Sequence, residues 1–167
     1  MTQLHAQPYD VSATGFYFET VEEYKKNANG LRNAYGDPVE EFEIQFIDGE
    51  GIDWDLANAI GINQANFSQF FECVDDWDDD QKQRVIIAVG ECGYAFDESI
   101  NPDDFDLDIY TLNNMRDLAE QFVEEGLFGD IPEALQFYID YDAIARDLSA
   151  DYSATEIAGQ SLIYRCQ

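Results

Sequence analysis

The sequence predicts an α+β protein. Its 46% hydrophobic and 14% aromatic residues can supply buried cores in a chain of 167 residues. Apolar residues alternate with polar ones in some segments, as in half-buried strands. In other segments they recur every three or four residues, as on one face of a helix. Strand and helix patterns are interleaved along the chain, so the two kinds of element belong to the same domains.

The first 50 residues predict a strand, a helix and a second strand. Gly15–Glu19 is a short aromatic strand candidate, and Thr20 can cap a polar helix that begins at Val21 and ends near residues 29–30. After a turn at residues 36–38, apolar residues alternate with polar ones. They are Phe42, Ile44 and Phe46. We expect a small α+β unit that ends at the loop Asp48–Gly51.

Residues 53–93 have a helical period. Four apolar residues occupy one face at i, i+3, i+4 and i+7: Phe67, Phe70, Phe71 and Val74. An acidic run follows at the junction with a second helix that carries residues 85–89. It comprises Asp75, Asp76, Asp78, Asp79 and Asp80. Because the helix dipole favours carboxylates in a first turn, this run either caps the second helix or serves a function, and both interpretations stay open.

The segment Asp104–Tyr110 alternates strictly. Phe105, Leu107 and Ile109 are expected to face a core, and the three intervening aspartates, Asp104, Asp106 and Asp108, to share the opposite face. Successive carboxylates on such a strand would lie about 6.6 Å apart, which is two strand rises.

Helices and a hairpin complete the predicted C-terminal elements. A helix over about residues 113–125 exposes Asp117, Glu120 and Glu124 and ends at Gly126. Pro132 opens a short helix, Tyr141–Leu148 forms another, and the final strands turn around Gly159.

The charge of the chain is its most unusual property. The sequence has 36 acidic and 8 basic residues and a net charge of −28. The charge is distributed as −7, −13 and −8 over residues 1–50, 51–110 and 111–167, so no acidic tail carries it. Such charge repels itself, which indicates a use, namely a basic partner. Nucleic acids and anionic membrane surfaces are excluded as partners because their charge has the same sign.

No catalytic constellation is recognisable. The sole histidine, His5, lies in a terminal segment with little to hold it, and there is no Gly-rich phosphate loop. The aspartates of 104–108 match only half of a calcium loop, since Ile109 and Met115 stand where glycine and glutamate are required. The cysteines lack metal-type spacing. We therefore expect no enzyme, cofactor or metal. Without a signal sequence or membrane span, we expect a cytoplasmic protein.

The amount of charge suggests mimicry of DNA. Duplex DNA carries one negative charge per about 1.7 Å of axis, so 28 net charges correspond to roughly 48 Å of duplex. A partner would then be a DNA-binding groove rich in Lys and Arg. Two alternatives are an acidic solvated surface, as in proteins adapted to high salt, and a generic acidic module that shields another basic or DNA-binding protein. The candidate phosphate mimics are Asp75, Asp76, Asp78, Asp79, Asp104, Asp106, Asp108, Asp117, Glu120 and Glu124.

A long motif lies between Gly126 and Leu148, GLFGDIPEALQFYIDYDAIARDL. It resembles the signature of the ArdA antirestriction family, and the helix segment MRDLAEQFVEE before it is also similar. The resemblance covers about residues 105–165. Residues that match are Asp130, Pro132, Glu133, Tyr138, Asp140, Tyr141, Asp142, Arg146 and Asp147. Family members usually open with a longer strand and a Tyr-Asn-x-Gly turn, which Met1–Thr14 lacks, so an altered N-terminal tip is expected.

The resemblance implies an elongated chain of three small domains. They are an α+β domain over 1–50 (a small antiparallel sheet with a helix), an acidic helical domain over 51–103 and an α+β domain over 104–167. It also implies a homodimer through the C-terminal domain, inhibition of type I restriction–modification enzymes by occupation of their DNA groove, and carriage by mobile elements. Within the signature we expect Leu135, Tyr138 and Tyr141 to pack in the C-terminal domain or its dimer contact, and Arg146 to form an internal ion pair.

Overall fold

The computed structural model describes all residues from Met1 to Gln167. It is an α+β fold with two small antiparallel sheets and accompanying helices, as predicted. The chain divides into two compact units, Met1–Asp104 and Phe105–Gln167. The further division of the first unit near residue 50 stays a prediction.

The first unit begins with a three-stranded sheet. Its strands are β1 (Gln3–Pro8), β2 (Phe16–Phe18) and β3 (Phe42–Asp48), in the order β2-β1-β3. Sequence reasoning missed β1, which is the central strand, and the order is therefore strand, strand, helix, strand. Leu4 and Ala6 on β1 are fully buried, and they alternate with polar residues in the pattern of a half-buried strand. This strand occupies the N-terminal segment in which an altered tip was expected.

The expectation that His5 is loosely held was wrong. It lies on β1, opposite Tyr17 on β2 and Gln45 on β3. Its Nδ1 is 3.3 Å from Oε1 of Gln45, and its ring centroid is 4.6 Å from that of Tyr17. Gly15 passes directly over this strand, since a Cβ there would lie 2.6 Å from the carbonyl oxygen of Ala6. Pairing on both sides fixes the histidine in the sheet.

Four helices complete the first unit. α1 (Val21–Ala28) starts at Thr20, whose hydroxyl accepts a hydrogen bond from the backbone of Glu23, as the sequence predicted. α2 (Gly51–Ile60), α3 (Phe67–Asp76) and α4 (Asp79–Gly90) follow. Pro102–Asp104 forms a short 3₁₀ turn.

An aromatic cluster joins the sheet to the helices. The Phe18 ring packs edge-on against the rings of Tyr24, Phe67 and Phe71 at centroid distances of 5.1, 5.3 and 6.0 Å. Such edge contacts add to the free energy of burial. The predicted apolar face of α3 is confirmed in its main features, because Phe67 and Phe70 are buried and Phe71 is half-buried.

The second unit has a sheet in the order β4-β6-β5. Its strands are β4 (Leu107–Tyr110), β5 (Ser153–Ile157) and β6 (Gln160–Cys166). The predicted hairpin is confirmed: Ile157 pairs with Gln160, and the two residues between them, Ala158 and Gly159, have φ of 50° and 77°. Positive φ at both positions is what a two-residue hairpin turn requires.

Two helices pack on this sheet, α5 (Met115–Glu124) and α6 (Tyr141–Leu148). Asn114 caps α5, and Gly126 beyond its end has the left-handed conformation expected from the sequence. Glu133–Tyr138 forms a 3₁₀ helix after Pro132. The core cluster consists of Leu118, Phe122, Tyr152 and Ile163, with partly buried residues around it.

Candidate functional site

The acidic run between α3 and α4 is exposed and divides into two groups. Asp78 caps α4: its Oδ1 accepts a hydrogen bond from the backbone N–H of Gln81 at 2.8 Å, and the Gln81 side chain accepts one from the Asp78 backbone at 3.1 Å. Asp79 and Asp80 lie in the first turn of α4, where the dipole favours negative charge. The capping interpretation therefore accounts for these three residues.

It does not account for Asp75 and Asp76. Both lie in the last turn of α3, which has no basic residue, and both are exposed. The helix dipole disfavours carboxylates at this end, and neither side chain has a hydrogen bond or ion pair. The helix dipole opposes these two charges, so helix capping does not explain them.

The same arrangement recurs in the second unit. Glu124 ends α5, whose last turn also has no basic residue. Asp147 lies in the last turn of α6, next to the basic residue Arg146. Both side chains are exposed. Three helices thus carry carboxylates where their dipoles oppose them, and two of these helices, α3 and α5, have no basic residue in the last turn. Stability alone would favour Lys or Arg at these positions.

The predicted row of Asp104, Asp106 and Asp108 on one strand was wrong. Asp104 belongs to the 3₁₀ turn, Asp106 lies before β4, and only Asp108 is on the strand. Asp104 and Asp106 are exposed. The alternation has the right period, but β4 begins only at Leu107, where pairing with β6 starts at Cys166.

Asp108 is already paired within the protein. Its Oδ2 accepts hydrogen bonds from Nε and Nη2 of Arg165 at 2.9 and 2.6 Å and from Nε2 of Gln167 at 2.9 Å. Hydrogen bonding to Asp108 raises the pKa of Arg165. Because side chains alternate along a strand, Tyr110 lies on the same face of β4 as Asp108. Tyr110 packs against the core cluster around Phe122, whereas Leu107 is not part of that cluster. Asp108 is therefore a poor phosphate mimic.

The predicted acids of α5 lie at i, i+3 and i+7, so they share one helix face. They differ in accessibility: Asp117 and Glu120 are half-buried, and Glu124 is exposed. Glu120 accepts a hydrogen bond from Nε of Arg116 at 3.1 Å. Part of this acidic face is therefore neutralised by a neighbouring cation.

The signature residues fall in two places. Asp130, Pro132, Glu133 and Tyr138 lie in an exposed stretch between α5 and α6. The others lie on or next to α6. Asp140 caps this helix through the backbone of Ala143 at 3.0 Å.

Arg116 joins α5 to the signature helix. Its Nη1 donates to Oδ1 of Asp142 at 2.9 Å, and its guanidinium lies 5.7 Å from the centroid of the half-buried Tyr141 ring. Hydrogen bonding to Asp142, and next to Glu120, raises the pKa of Arg116. The expected ion pair of Arg146 was wrong, since this residue is exposed and unpaired, as is Asp147 beside it.

Sequence reasoning also missed a buried ion pair in the first unit. Nζ of Lys82 on α4 lies 2.8 Å from Oδ1 of Asp53 on α2, and the two residues are only 5% and 3% exposed. A signal was present in the sequence. Asp53 and Lys82 each fall within an apolar stripe of their helix, beside Leu56 and Val85, and a charge in such a position requires a partner.

The structure has no group of three or more His, Cys, Asp or Glu side chains placed to hold a metal ion. None of its helices is both long and apolar enough to cross a membrane. What distinguishes the molecule is its exposed, largely unpaired carboxylate surface. The protein is therefore an acidic α+β protein, and its candidate functional site is this exposed surface.

The family model of the antirestriction protein ArdA matches residues 3–160. The chain therefore belongs to the ArdA antirestriction family, and the match extends the resemblance from the C-terminal signature to the N-terminal sheet. Membership implies an antirestriction role, that of an inhibitor rather than an enzyme. A comparison with curated proteins found no match.

Proposed function

We propose that this protein inhibits type I restriction–modification enzymes by occupying their DNA-binding groove, with its carboxylates in place of DNA phosphates. One observation carries the proposal: exposed acids without partners stand at helix ends whose dipoles disfavour them, as Asp75 and Asp76 do on α3. A solvated acidic surface, as in adaptation to high salt, needs no such placement. A basic groove would supply the missing countercharge.

The distribution of positive charge supports the same proposal. Lys82 is buried against Asp53, and Arg116 and Arg165 are held by carboxylates of the second unit. These cations are therefore not available to repel a basic groove. With a net charge of −28, the chain presents an anionic surface on both units. Opposite potentials accelerate encounter with such a groove and make binding sensitive to salt.

Mimicry of the DNA backbone alone would let one inhibitor act on enzymes of differing sequence specificity. Contacts to phosphates position a protein on DNA but carry no sequence information. An array of carboxylates offers these contacts without base edges. We place this action in the cytoplasm, without direct binding of nucleic acid or membrane, and we infer that mobile elements carry the gene.

We also propose that the protein acts as a homodimer through its C-terminal unit. Five large apolar residues between α5 and α6 are exposed, and Phe137 is 94% exposed: Leu127, Phe128, Leu135, Phe137 and Tyr138. Grouped apolar side chains on a charged surface mark an interaction site. Leu135 and Tyr138 were expected to pack either in this domain or in its dimer contact. Because both side chains are exposed, only the dimer contact is left for them.

The decisive experiment is competition. A type I enzyme is bound to a fluorescently labelled duplex, and the protein is added while anisotropy is followed. We expect displacement of the duplex, with an apparent affinity that falls as salt rises. If the enzyme bound the protein while retaining its DNA, the protein would be a generic acidic module and the proposal would be wrong.

Two double variants sharpen this test. D75N/D76N removes two unpaired charges and should weaken displacement. D108N/R165Q removes one carboxylate and its paired guanidinium, leaves the net charge unchanged, and should displace the duplex like the unmodified protein. Equal losses in both variants would argue against a role for unpaired acids.

A further inference from the structure

Two loops of the first unit expose large apolar side chains. Tyr9 and Val11 lie in the loop after β1, and Tyr35 lies in the turn between α1 and β3. Their exposed fractions are 66%, 98% and 85%. Exposed apolar side chains that are grouped, rather than scattered singly, mark interaction sites. We call residues 9–13 and 33–37 together the tyrosine surface.

Hydrogen bonds join the two loops, although they are far apart in the sequence. Nδ2 of Asn33 donates to Oδ2 of Asp10 at 2.8 Å, and the backbone N–H of Ala34 donates to Oγ of Ser12 at 3.2 Å. Ser12 in turn donates to Oδ1 of Asp10 from its backbone at 2.9 Å and from its hydroxyl at 2.8 Å. These bonds, above all the one from Asn33, lower the pKa of Asp10. The two loops therefore form one surface.

The turn that carries Tyr35 is stabilised by Asn33. Oδ1 of Asn33 accepts hydrogen bonds from the backbone N–H groups of Tyr35 and Asp37, both at 2.9 Å. Gly36 has the left-handed φ of 85°, and its carbonyl oxygen accepts a hydrogen bond from Nη1 of Arg32 at 2.9 Å. A ring on a pre-organised turn loses little conformational entropy when a partner binds, so it is well suited to form a contact.

Each of the two tyrosines has an exposed carboxylate beside it. Asp37 shares the Asn33 amide oxygen with Tyr35, and the backbone N–H of Tyr9 donates to the carbonyl oxygen of Glu41 at 3.2 Å. The side chains of Asp37 and Glu41 are exposed and form no ion pair. An aromatic face and a carboxylate together suit arginine, whose planar guanidinium stacks on a ring and donates to the carboxylate.

We propose that the tyrosine surface binds arginine side chains of the target enzyme. Their guanidinium groups stack on Tyr9 and Tyr35 and donate to Glu41 and Asp37, and Val11 offers apolar surface to the methylene stem of an arginine. This inference rests on the proposed function, which supplies a DNA-binding groove rich in Lys and Arg. Such a groove is complementary in charge to a chain of net charge −28. Carboxylates alone would attract lysine and arginine alike, so the rings make this surface prefer arginine.

The preference is tested on the full chain with two peptide probes of equal charge, hexa-arginine and hexa-lysine. Backbone amide shifts of the isotope-labelled protein are followed during titration at fixed ionic strength. We expect the signals of Tyr9 and Tyr35 to saturate at concentrations of hexa-arginine about fivefold lower than of hexa-lysine. Y9A/Y35A should abolish this preference, and Y9F/Y35F should keep it because the rings remain. Equal affinity for the two peptides at these residues would overturn the proposal.

The contribution to inhibition is measured by displacement of labelled duplex from a type I enzyme. Y9A/Y35A leaves the net charge unchanged and should weaken displacement about tenfold, whereas Y9F/Y35F should act like the unmodified protein. W54A is the control, since it removes an exposed ring from α2 and should leave displacement unchanged. Circular dichroism and urea denaturation establish that each variant is folded.

The proposal is overturned if Y9A/Y35A displaces DNA as well as the unmodified protein does, or if W54A loses as much. It is also overturned if Y9A/Y35A lowers the mass in light scattering, because these tyrosines would then hold two copies of the chain together. The proposed function can fail separately. A protein that preferred hexa-arginine at the tyrosine surface but did not displace DNA would keep its arginine site and contradict occupation of the groove.

Discussion

Asp78 and Gln81 cap α4 reciprocally, each side chain accepting a hydrogen bond from the other residue's backbone N–H, at 2.8 and 3.1 Å. Two residues earlier, Asp76 stands at the unfavourable end of α3 without any partner. Neighbouring acids of identical chemistry therefore act on stability in opposite directions, which composition alone does not reveal.

Substitutions in this run should change stability with opposite signs. Asp78→Ala removes the cap and should lower the free energy of unfolding by about 1 kcal/mol. D75N/D76N removes two negative charges at the end of α3 and should raise the free energy of unfolding by about 0.5 kcal/mol per residue. Urea denaturation measures both. Destabilisation by D75N/D76N would show that these acids have a structural role after all.

Removing one member of the buried pair Asp53 and Lys82 should destabilise the fold, whereas replacing both with apolar residues should change stability little. Lys82→Met leaves an unpaired carboxylate inside the first unit and should lower the free energy of unfolding by about 3 kcal/mol. D53L/K82M removes both charges and should recover most of this loss, to within about 1 kcal/mol of the unmodified protein. A double variant as unstable as Lys82→Met would contradict this explanation.

Burial raises the pKa of the Cys73 thiol to about 11, and the charges of Glu72 and Asp76 act in the same direction. The reactive thiolate is therefore scarce at pH 8, and the thiol is also inaccessible. Iodoacetamide should modify Cys73 much more slowly in the folded protein than in urea, as measured by mass spectrometry of its peptide.

The same shift makes stability depend on pH. The folded pKa of Cys73 exceeds its ordinary value of 9.0, so its contribution to stability is complete below pH 9 and is lost as the pH rises towards about 11. Cys73→Ala should remove this part of the alkaline dependence. Rapid alkylation of Cys73 in the folded protein at pH 8 would show that the thiol is not held in the apolar interior.

Local signals predicted those elements whose stabilising contacts are close in sequence. Thr20 caps the helix that begins at the next residue, and Gly126 follows the end of α5 directly. The two-residue turn before Gln160 is likewise decided by the residues within it. The signature helix Tyr141–Leu148 was predicted with its observed ends for the same reason.

Distant pairing explains what was missed. β1 receives its hydrogen bonds from β2 and β3, which follow it in the chain, and its inward residues Leu4 and Ala6 give a weak hydrophobic signal. Asp108 is neutralised by Arg165, 57 residues away. A periodicity predicts which face of a strand carries a carboxylate, but not which distant cation pairs with it. Of the three predicted phosphate mimics, Asp108 is therefore paired, and Asp104 and Asp106 lie outside the strand.

The exposed apolar residues before α6 predict an oligomer that one charge can disrupt. Phe137→Asp should convert the protein to a monomer in light scattering coupled to size exclusion, because a carboxylate would be desolvated in the interface. Tyr35→Asp is the matched control, since Tyr35 is 85% exposed but lies in the first unit. A dimer that survived Phe137→Asp would place the contact elsewhere on the chain.

Salt should raise the thermal stability of the fold and weaken the binding of the protein to its target. With a net charge of −28, the folded chain repels itself, and added chloride screens this repulsion, so the thermal midpoint should rise between low and high sodium chloride. Binding to a basic groove depends on the unscreened attraction, so displacement of duplex DNA should weaken over the same range. Chloride is preferred to sulfate, which also strengthens apolar burial. The same charge governs the thermal midpoint and the displacement of DNA, and salt should change them in opposite directions. If displacement persisted at high salt while the thermal midpoint rose, contacts other than charge would hold the protein on its target.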